Sequence, residues 1–192
     1  MEIHKINPKL IDPQKGRLLI SEPFLNDLKF RRSVVFLCEH NEEGSVGFIL
    51  NRLLSVTSSD VIPQLLEYNF PLFYGGPVET DTLHFIHKAG DFIEGSKEIS
   101  NGIYWGGEIE SVNQLLSDGK VSPNDFRFFI GYSGWAPDQL VEEITEKAWW
   151  VAEGNMDIIF DDDLENMWKA VVRSLGKDFA FMANSPDDVT WN

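Results

Sequence analysis

Phe126 to Ile144 reads FRFFIGYSGWAPDQLVEEI, and the fold turns on this stretch. Phe126, Phe128, Phe129 and Ile130 form an aromatic and aliphatic run of the kind that makes a buried strand. Gly131-Tyr132-Ser133-Gly134-Trp135 follows, with two glycines that allow a tight turn or the close approach of another backbone. Pro137 suits the first turn of a helix, and Asp138, Glu142 and Glu143 favour its positive end. The stretch therefore predicts a strand over 126–132, a glycine-rich corner and a helix over 137–147. Such a corner is a catalytic elbow, a ligand cradle or a packed junction, and the rest of the chain must decide between them.

Upstream, Arg17–Ser21 predicts a first strand ended by Pro23, after an irregular or partly helical lead-in over 1–15. Phe24 to Arg32 is expected to be a loop anchored by Phe24, Leu25, Leu28 and Phe30. Ser33–Glu39 is a continuous β-branched and aromatic run, expected as a central strand covered on both faces. His40-Asn41-Glu42-Glu43-Gly44 is turn chemistry, and Val46–Leu50 completes an antiparallel hairpin. Asp60 is placed to cap a short helix with Pro63 in its first turn and Val61, Ile62, Leu65 and Leu66 on one face. Strands are expected at Leu72–Tyr74, at Thr82–His87 and, broken by Gly102, at Ile99–Trp105. Ile109, Val112, Leu115 and Leu116 recur at helical spacing and stop at Gly119.

Downstream, Ala148–Ala152 is expected as a strand and Ile158–Phe160 as its short continuation. A final helix is marked by an Asp162/Glu165 capping box and by a stripe of Leu164, Met167, Trp168, Val171, Val172 and Leu175, closed by Gly176. Seven or eight strands among three or four helices, opened by a hairpin, make a single α+β domain with a mainly antiparallel sheet.

At 192 residues and 43% hydrophobic content the chain is long enough for one sizeable core, and 12% aromatic residues exclude disorder. The N-terminus carries no signal-peptide pattern, and no stretch reaches the roughly 18 apolar residues of a spanning helix. A cytoplasmic protein with no membrane association is expected. The lone Cys38 agrees, since it has no partner for an internal disulfide. The net charge of −15, from 31 acidic and 16 basic residues, argues against direct nucleic-acid binding through phosphates. Lys29, Arg31 and Arg32 are the one basic cluster.

Gly131-Tyr132-Ser133-Gly134 invites comparison with the Gly-x-Ser-x-Gly nucleophile elbow, but Trp135 occupies the last glycine position. All four histidines, His4, His40, His84 and His87, precede Ser133, whereas the elbow architecture places its histidine afterwards. His84 and His87, three apart on a strand, point to opposite faces and do not chelate one metal. Cys38 and His40 share a face but lack a third and fourth ligand. Gly75-Gly76-Pro77-Val78 lacks the Gly-Lys-Ser/Thr of a phosphate loop. Asp161-Asp162-Asp163 lacks calcium-loop spacing and is accounted for by negative charge at a helix N-terminus. No cofactor and no metal are expected.

Taken together, these residues resemble the bacterial YqgE/AlgH family. The resemblance rests on Gly16-Arg17-Leu18-Leu19-Ile20 with Pro23, Asp27 and Phe30, then Arg32-Ser33-Val34-Val35, Glu39-His40, Gly44, Gly47 and Asn51-Arg52. It resumes at Gly75-Gly76-Pro77-Val78, Arg127 and Gly131–Trp135 with Gln139-Leu140, and closes with Trp149 and Trp168 to Gly176. The resemblance implies a bifurcated sheet forming a pseudo-barrel flanked by helices. It implies no established reaction. One branch is named for an influence on alginate production and carries a transcriptional-regulator label. Ser133 stands where alanine is common in the family, which counts against a serine nucleophile.

The leading expectation is a non-enzymatic protein that binds a small molecule or a protein partner, with an indirect regulatory role. The candidate site joins the two glycine-rich segments to the polar end of the first hairpin: Glu39, His40, Asn51, Arg52, Gly75, Gly76, Tyr132 and Trp135. Arg52 is suited to pair an anion bidentately, and Tyr132 or Trp135 to stack on a ring. The competing account is that these groups only knit the sheet ends together. The alternative function is an enzyme, a hydrolase with His40 as general base beside Glu39 or Ser133.

Overall fold

The computed structural model describes residues 11–65 and 67–185. Most of the lead-in and Leu66 lie outside the described residues. In chain order come strands β1 (Arg17–Ser21), β2 (Val34–Asn41), β3 (Gly44–Ile49) and β4 (Leu53–Thr57), helix α1 (Ser58–Val61), and strands β5 (Pro71–Tyr74), β6 (Val78–His87), β7 (Lys97–Ser100) and β8 (Ile103–Trp105). Then follow α2 (Glu110–Ser117), β9 (Phe126–Trp135), α3 (Gln139–Thr145), β10 (Trp149–Glu153), α4 (Met156–Ile159), α5 (Leu164–Ser174) and α6 (Lys177–Ala180). The ten strands form one sheet with the path β10-β1-β2-β3-β9-β6-β8-β7, and β4 and β5 branch from it. Every pairing is antiparallel except β5 with β9. The fold is α+β and the sheet mainly antiparallel, as expected. It is not closed into a barrel, because β10 and β7 end the path without pairing to each other.

The branch lies on β9. Along one edge its first half pairs with β5, Leu72 opposite Phe128 through Tyr74 opposite Ile130, and its second half pairs with β3, Gly47 opposite Ser133 through Ser45 opposite Trp135. The other edge carries β6. Gly75 sits where the two partners part. Its N–H donates to the Ile130 carbonyl at 2.9 Å, and its carbonyl accepts from Ile49 N at 3.0 Å and from Ser133 Oγ at 2.9 Å. The segment 131–135 is therefore strand and not a corner. Gly131, at φ 69°, is a kink within β9, opposite the place where β6 slips register between Val78 and Leu83.

Alternation along the strands divides the core. Leu18, Ile20, Val34, Phe36, Phe48 and Phe129 face one cluster with Met167, Trp168, Val171 and Val172 of α5. Leu19, Val35, Leu37, Ile49 and Trp135 face the opposite side with Leu140 of α3 and Trp149. The expectation that β2 is covered on both faces holds. A third cluster packs Phe126, Phe128, Phe85 and Leu72 against Val112 and Leu115 of α2.

Local expectations failed where turn chemistry or a cap outweighed the apolar pattern. Ile99–Trp105 is a hairpin, not one broken strand, because Asn101 and Gly102 both take positive φ (48° and 80°) and reverse the chain. Ile158–Phe160 does not continue β10. Asn155 accepts from Ile158 N and starts α4. Asp163, not Asp162, caps α5 and accepts from Asn166 N. Thr57, with Asp60 as its reciprocal acceptor, starts α1, so Asp60 is not the cap and Pro63 belongs to the 3₁₀ turn that follows. The helix after β9 begins at Gln139 rather than Pro137. Leu53–Thr57 and Lys177–Ala180 add a strand and a helix that the apolar pattern did not mark. Six α-helical segments stand among the described residues against three or four expected, three of them single turns of four residues.

Candidate functional site

The eight residues singled out from sequence do not converge. Glu39, Tyr132 and Trp135 line a cavity of about 410 Å³ at the turn end of the β2–β3 hairpin, with Asn41, Glu43 and Ser45. His40 sits beside it, its Nδ1 2.7 Å from Ser45 Oγ. Asn51 and Arg52 lie at the other end of β3, about 20 Å from Ser45 at some 3.3 Å per strand residue. Asn51 closes that end of the hairpin: Oδ1 accepts from Val34 N at 3.0 Å and Nδ2 donates to the Arg32 carbonyl at 2.9 Å. Arg52 Nη2 donates to the Arg31 carbonyl at 2.6 Å rather than to a carboxylate. Burial pushes the Tyr74 phenol above its ordinary range, while Arg52 pulls it down.

The glycines are a junction and not a cradle. A Cβ on Gly75 would stand 2.2 Å from the Gly131 carbonyl oxygen, and one on Gly76 2.3 Å from Tyr132. Backbone fills the space that an anion would need. Ser133 is fully buried with its hydroxyl given to Gly75, so it is not presented as a nucleophile. Trp135 is buried too, and its indole N–H donates to Glu143 Oε2 at 2.9 Å. Trp149 Nε1 donates to the same oxygen at 2.8 Å, and the two rings meet edge to face. Trp135 therefore packs α3 onto the sheet and is not free to stack on a ligand.

His84 and His87 face different clusters, as strand alternation requires. His84 meets Phe48, Trp105 and Tyr132; His87 meets Phe85, Tyr104 and Phe126. Ala89 N donates to His87 Nδ1 at 3.2 Å, so Nε2 carries the proton and donates to the Gly106 carbonyl at 3.0 Å. Burial lowers the His87 pKa below 6.5, against a smaller opposing effect of the Gly106 bond, and burial lowers His84 similarly. The unfolded chain therefore binds more protons than the folded one once pH falls to about 6.5. Stability is full above that value and is lost as pH falls toward the folded-state pKa, at up to about 1.4 kcal/mol per pH unit for each ring. Urea midpoints measured from pH 7.5 down to 5 are expected to fall, and to fall less steeply in His87→Gln.

Cys38 is buried, and burial pushes its thiol well above its usual pKa. It marks a register shift between β2 and β3 and faces the α5 cluster, while His40 turns to Ser45. Among the described residues no three His, Cys, Asp or Glu side chains gather as a metal site.

Arg127, which is not one of those eight residues, is a buried cation and the one charged side chain within the apolar run of β9. Its side chain is 3% exposed. The guanidinium lies over the Phe73 ring at 4.7 Å, donates from Nη2 to the Asp161 carbonyl at 2.7 Å, and from Nη1 reaches the Leu50 carbonyl at 3.4 Å. The carboxylate in ion-pair contact with it is Asp162, at 3.6 Å and 93% exposed. Burial pulls its pKa down to about 10, opposed by Asp162 and Asp161, so it remains charged at neutral pH. Arg127 lines a second cavity of about 410 Å³ together with Lys88, Asp162, Phe73, Phe126 and Phe160. Lys88 pairs with Asp125 at 3.2 Å and lies 4.7 Å from the Phe160 ring. This cavity escaped the sequence reading, although a charge at an inward position between Phe126 and Phe128 was the available signal.

The AlgH-like family model matches residues 18–180. The chain belongs to the AlgH-like family. A UPF0301 protein of Chlorobium phaeobacteroides is 44% identical over 174 residues, covering 91% of this chain and 93% of the relative. A UPF0301 protein of Cytophaga hutchinsonii is 41% identical over 179 residues, covering 93% and 98%. Among solved structures, the AlgH protein of Pseudomonas aeruginosa superposes with a TM-score of 0.71 at 26% identity, covering 93% of this chain and 98% of that one. Protein DIP2367 of Corynebacterium diphtheriae shares the fold, with a TM-score of 0.77 at 21% identity over 92% and 95%. No helix among the described residues is long and apolar enough to cross a membrane.

Proposed function

We propose that this AlgH-like protein works by binding rather than by catalysis, taking a small molecule into the Arg127 cavity with an indirect regulatory outcome in the cytoplasm. The observation that carries the reading is a charged guanidinium almost wholly buried at the wall of a cavity, with the Asp162 carboxylate that pairs with it in solvent. Burying a charge is costly unless it is paired, and a solvated carboxylate 3.6 Å away, beyond hydrogen-bond distance, pairs it weakly. A net charge of −15 leaves phosphate-backbone binding out of the proposal. The test is thermal melting against a panel of metabolites and nucleotides. A compound at about 100 times its Kd adds about 2.7 kcal/mol, a rise of about 5 °C or more. The rise should shrink in Lys88→Met and persist in Arg52→Ala. No shift with any compound removes the reading.

A second reading rests on one contact. His40 Nδ1 lies 2.7 Å from the Oγ of Ser45, a buried residue in the lining of the hairpin-end cavity, which is base-to-nucleophile distance for a hydrolase. Glu39, Tyr132 and Trp135 enter only through this cavity. A fluorophosphonate probe decides: labelling of Ser45 that His40→Ala abolishes replaces the binding reading, and absence of labelling supports it.

A further inference from the structure

We infer that the Arg127 cavity takes a carboxylate borne on an aromatic body, and that Asp162 of the same chain competes with that carboxylate for the guanidinium. The inference rests on the reading of this cavity as a binding site and names its ligand class. Three observations carry it.

The first is charge. Each of the two cations at the cavity has a carboxylate in ion-pair contact, Asp125 at 3.2 Å from Lys88 Nζ and Asp162 at 3.6 Å from Arg127 Nη2, and Asp161 adds a further negative charge acting on Arg127. A singly charged ligand that displaces Asp162 exchanges one carboxylate for another and leaves the local charge balance unchanged. A phosphate dianion would add charge beside Asp125.

The second is the unequal hold of the two pairs. Lys88 and Asp125 are both half-buried, at 25% and 29% side-chain exposure, whereas Asp162 is 93% exposed and beyond hydrogen-bond distance. The Asp162 carboxylate is the group that can leave, because it stands in solvent and makes no hydrogen bond to the guanidinium. It sits in the turn before α5, just ahead of the capping Asp163, so it can swing out without disturbing the cap. Arginine's planar fork then matches an incoming carboxylate.

The third is the wall. Phe73 and Phe160 lie against the two cations, and Phe70 and Phe126 also line the space. Rings of this number favour a planar apolar body over a hydrated one.

Isothermal titration with benzoate, its neutral isostere benzamide, and inorganic phosphate tests this. Benzoate is expected to bind at least about tenfold more tightly than benzamide, the worth of one charge-assisted hydrogen bond. Asp162→Asn, a surface change that leaves the cap in place, is expected to tighten benzoate about fivefold and leave benzamide unchanged. Lys88→Met should weaken benzoate about tenfold. Looser or unchanged benzoate binding in Asp162→Asn overturns the competition. Binding of benzamide or phosphate in preference to benzoate overturns the carboxylate class while leaving the cavity a binding site. No heat from any of the three with the native chain or Asp162→Asn overturns the inference and counts against the cavity itself. Arg127→Lys, which keeps the charge but loses the fork, should lose benzoate selectivity while the far-ultraviolet circular dichroism stays native.

Discussion

Gly75→Ala is expected to cost about 4 kcal/mol or more, enough to leave the chain largely unfolded or insoluble when expressed. The added Cβ would stand 2.2 Å from the Gly131 carbonyl oxygen and 3.0 Å from side-chain atoms of Phe129 and Phe48. The nearest obstacle is backbone, and it cannot rotate away. Nor can Gly75 retreat, because its N–H and carbonyl hold both arms of the sheet branch through Ile130, Ile49 and Ser133. Gly119→Ala is the control. Gly119 takes φ 66° with nothing within 4 Å of the added atom, so it loses only about 1 kcal/mol of backbone preference. Urea unfolding of the two variants should separate them widely; matching midpoints would show that the branch accommodates a side chain.

Glu143→Leu is expected to lose about 3 kcal/mol. One carboxylate oxygen accepts from the indoles of Trp135 and Trp149, both buried, and the other accepts from Gln139 Nε2 at 2.8 Å. Leucine leaves two buried N–H groups without an acceptor, at about 1–3 kcal/mol each before relaxation. Glu143→Gln keeps one acceptor oxygen and should recover most of the loss. Urea midpoints followed by tryptophan fluorescence measure both; a Gln variant as weak as Leu would place the effect in the charge instead of the hydrogen bonds.

Both predictions concern residues that the sequence presents in a different light. Glu143 reads as a helix-end charge and proves to be the acceptor that ties α3 to two tryptophans. Gly131-Tyr132-Ser133-Gly134-Trp135 reads as a corner because glycine pairs usually mark turns. Here the freedom of glycine is used within a strand, for the kink at Gly131 and for the close passage of Gly75 and Gly76. Asn51 and Arg52 illustrate a different limit. Their polarity after an apolar strand is plain, but only the direction of β3 shows that they lie a strand's length from His40.

What the sequence determined by itself is whatever depends on local periodicity. The apolar runs of β1, β2 and β9, the hairpin at Asn41–Gly44 and the stripe of α5 follow from side-chain spacing, and with them a mainly antiparallel α+β domain. Membership of the family was legible too, since it rests on residue identities. Only the tertiary structure decided that the sheet branches at β9 and does not close, because backbone hydrogen bonds choose strand partners and leave no periodic trace. It likewise decided the site. Lys88 just after β6, Arg127 in β9 and Asp162 in the turn before α5 are at least 35 residues apart from one another, and what unites them is a shared wall. A charge's meaning depends on the solvent and partners around it, and those are properties of the folded chain.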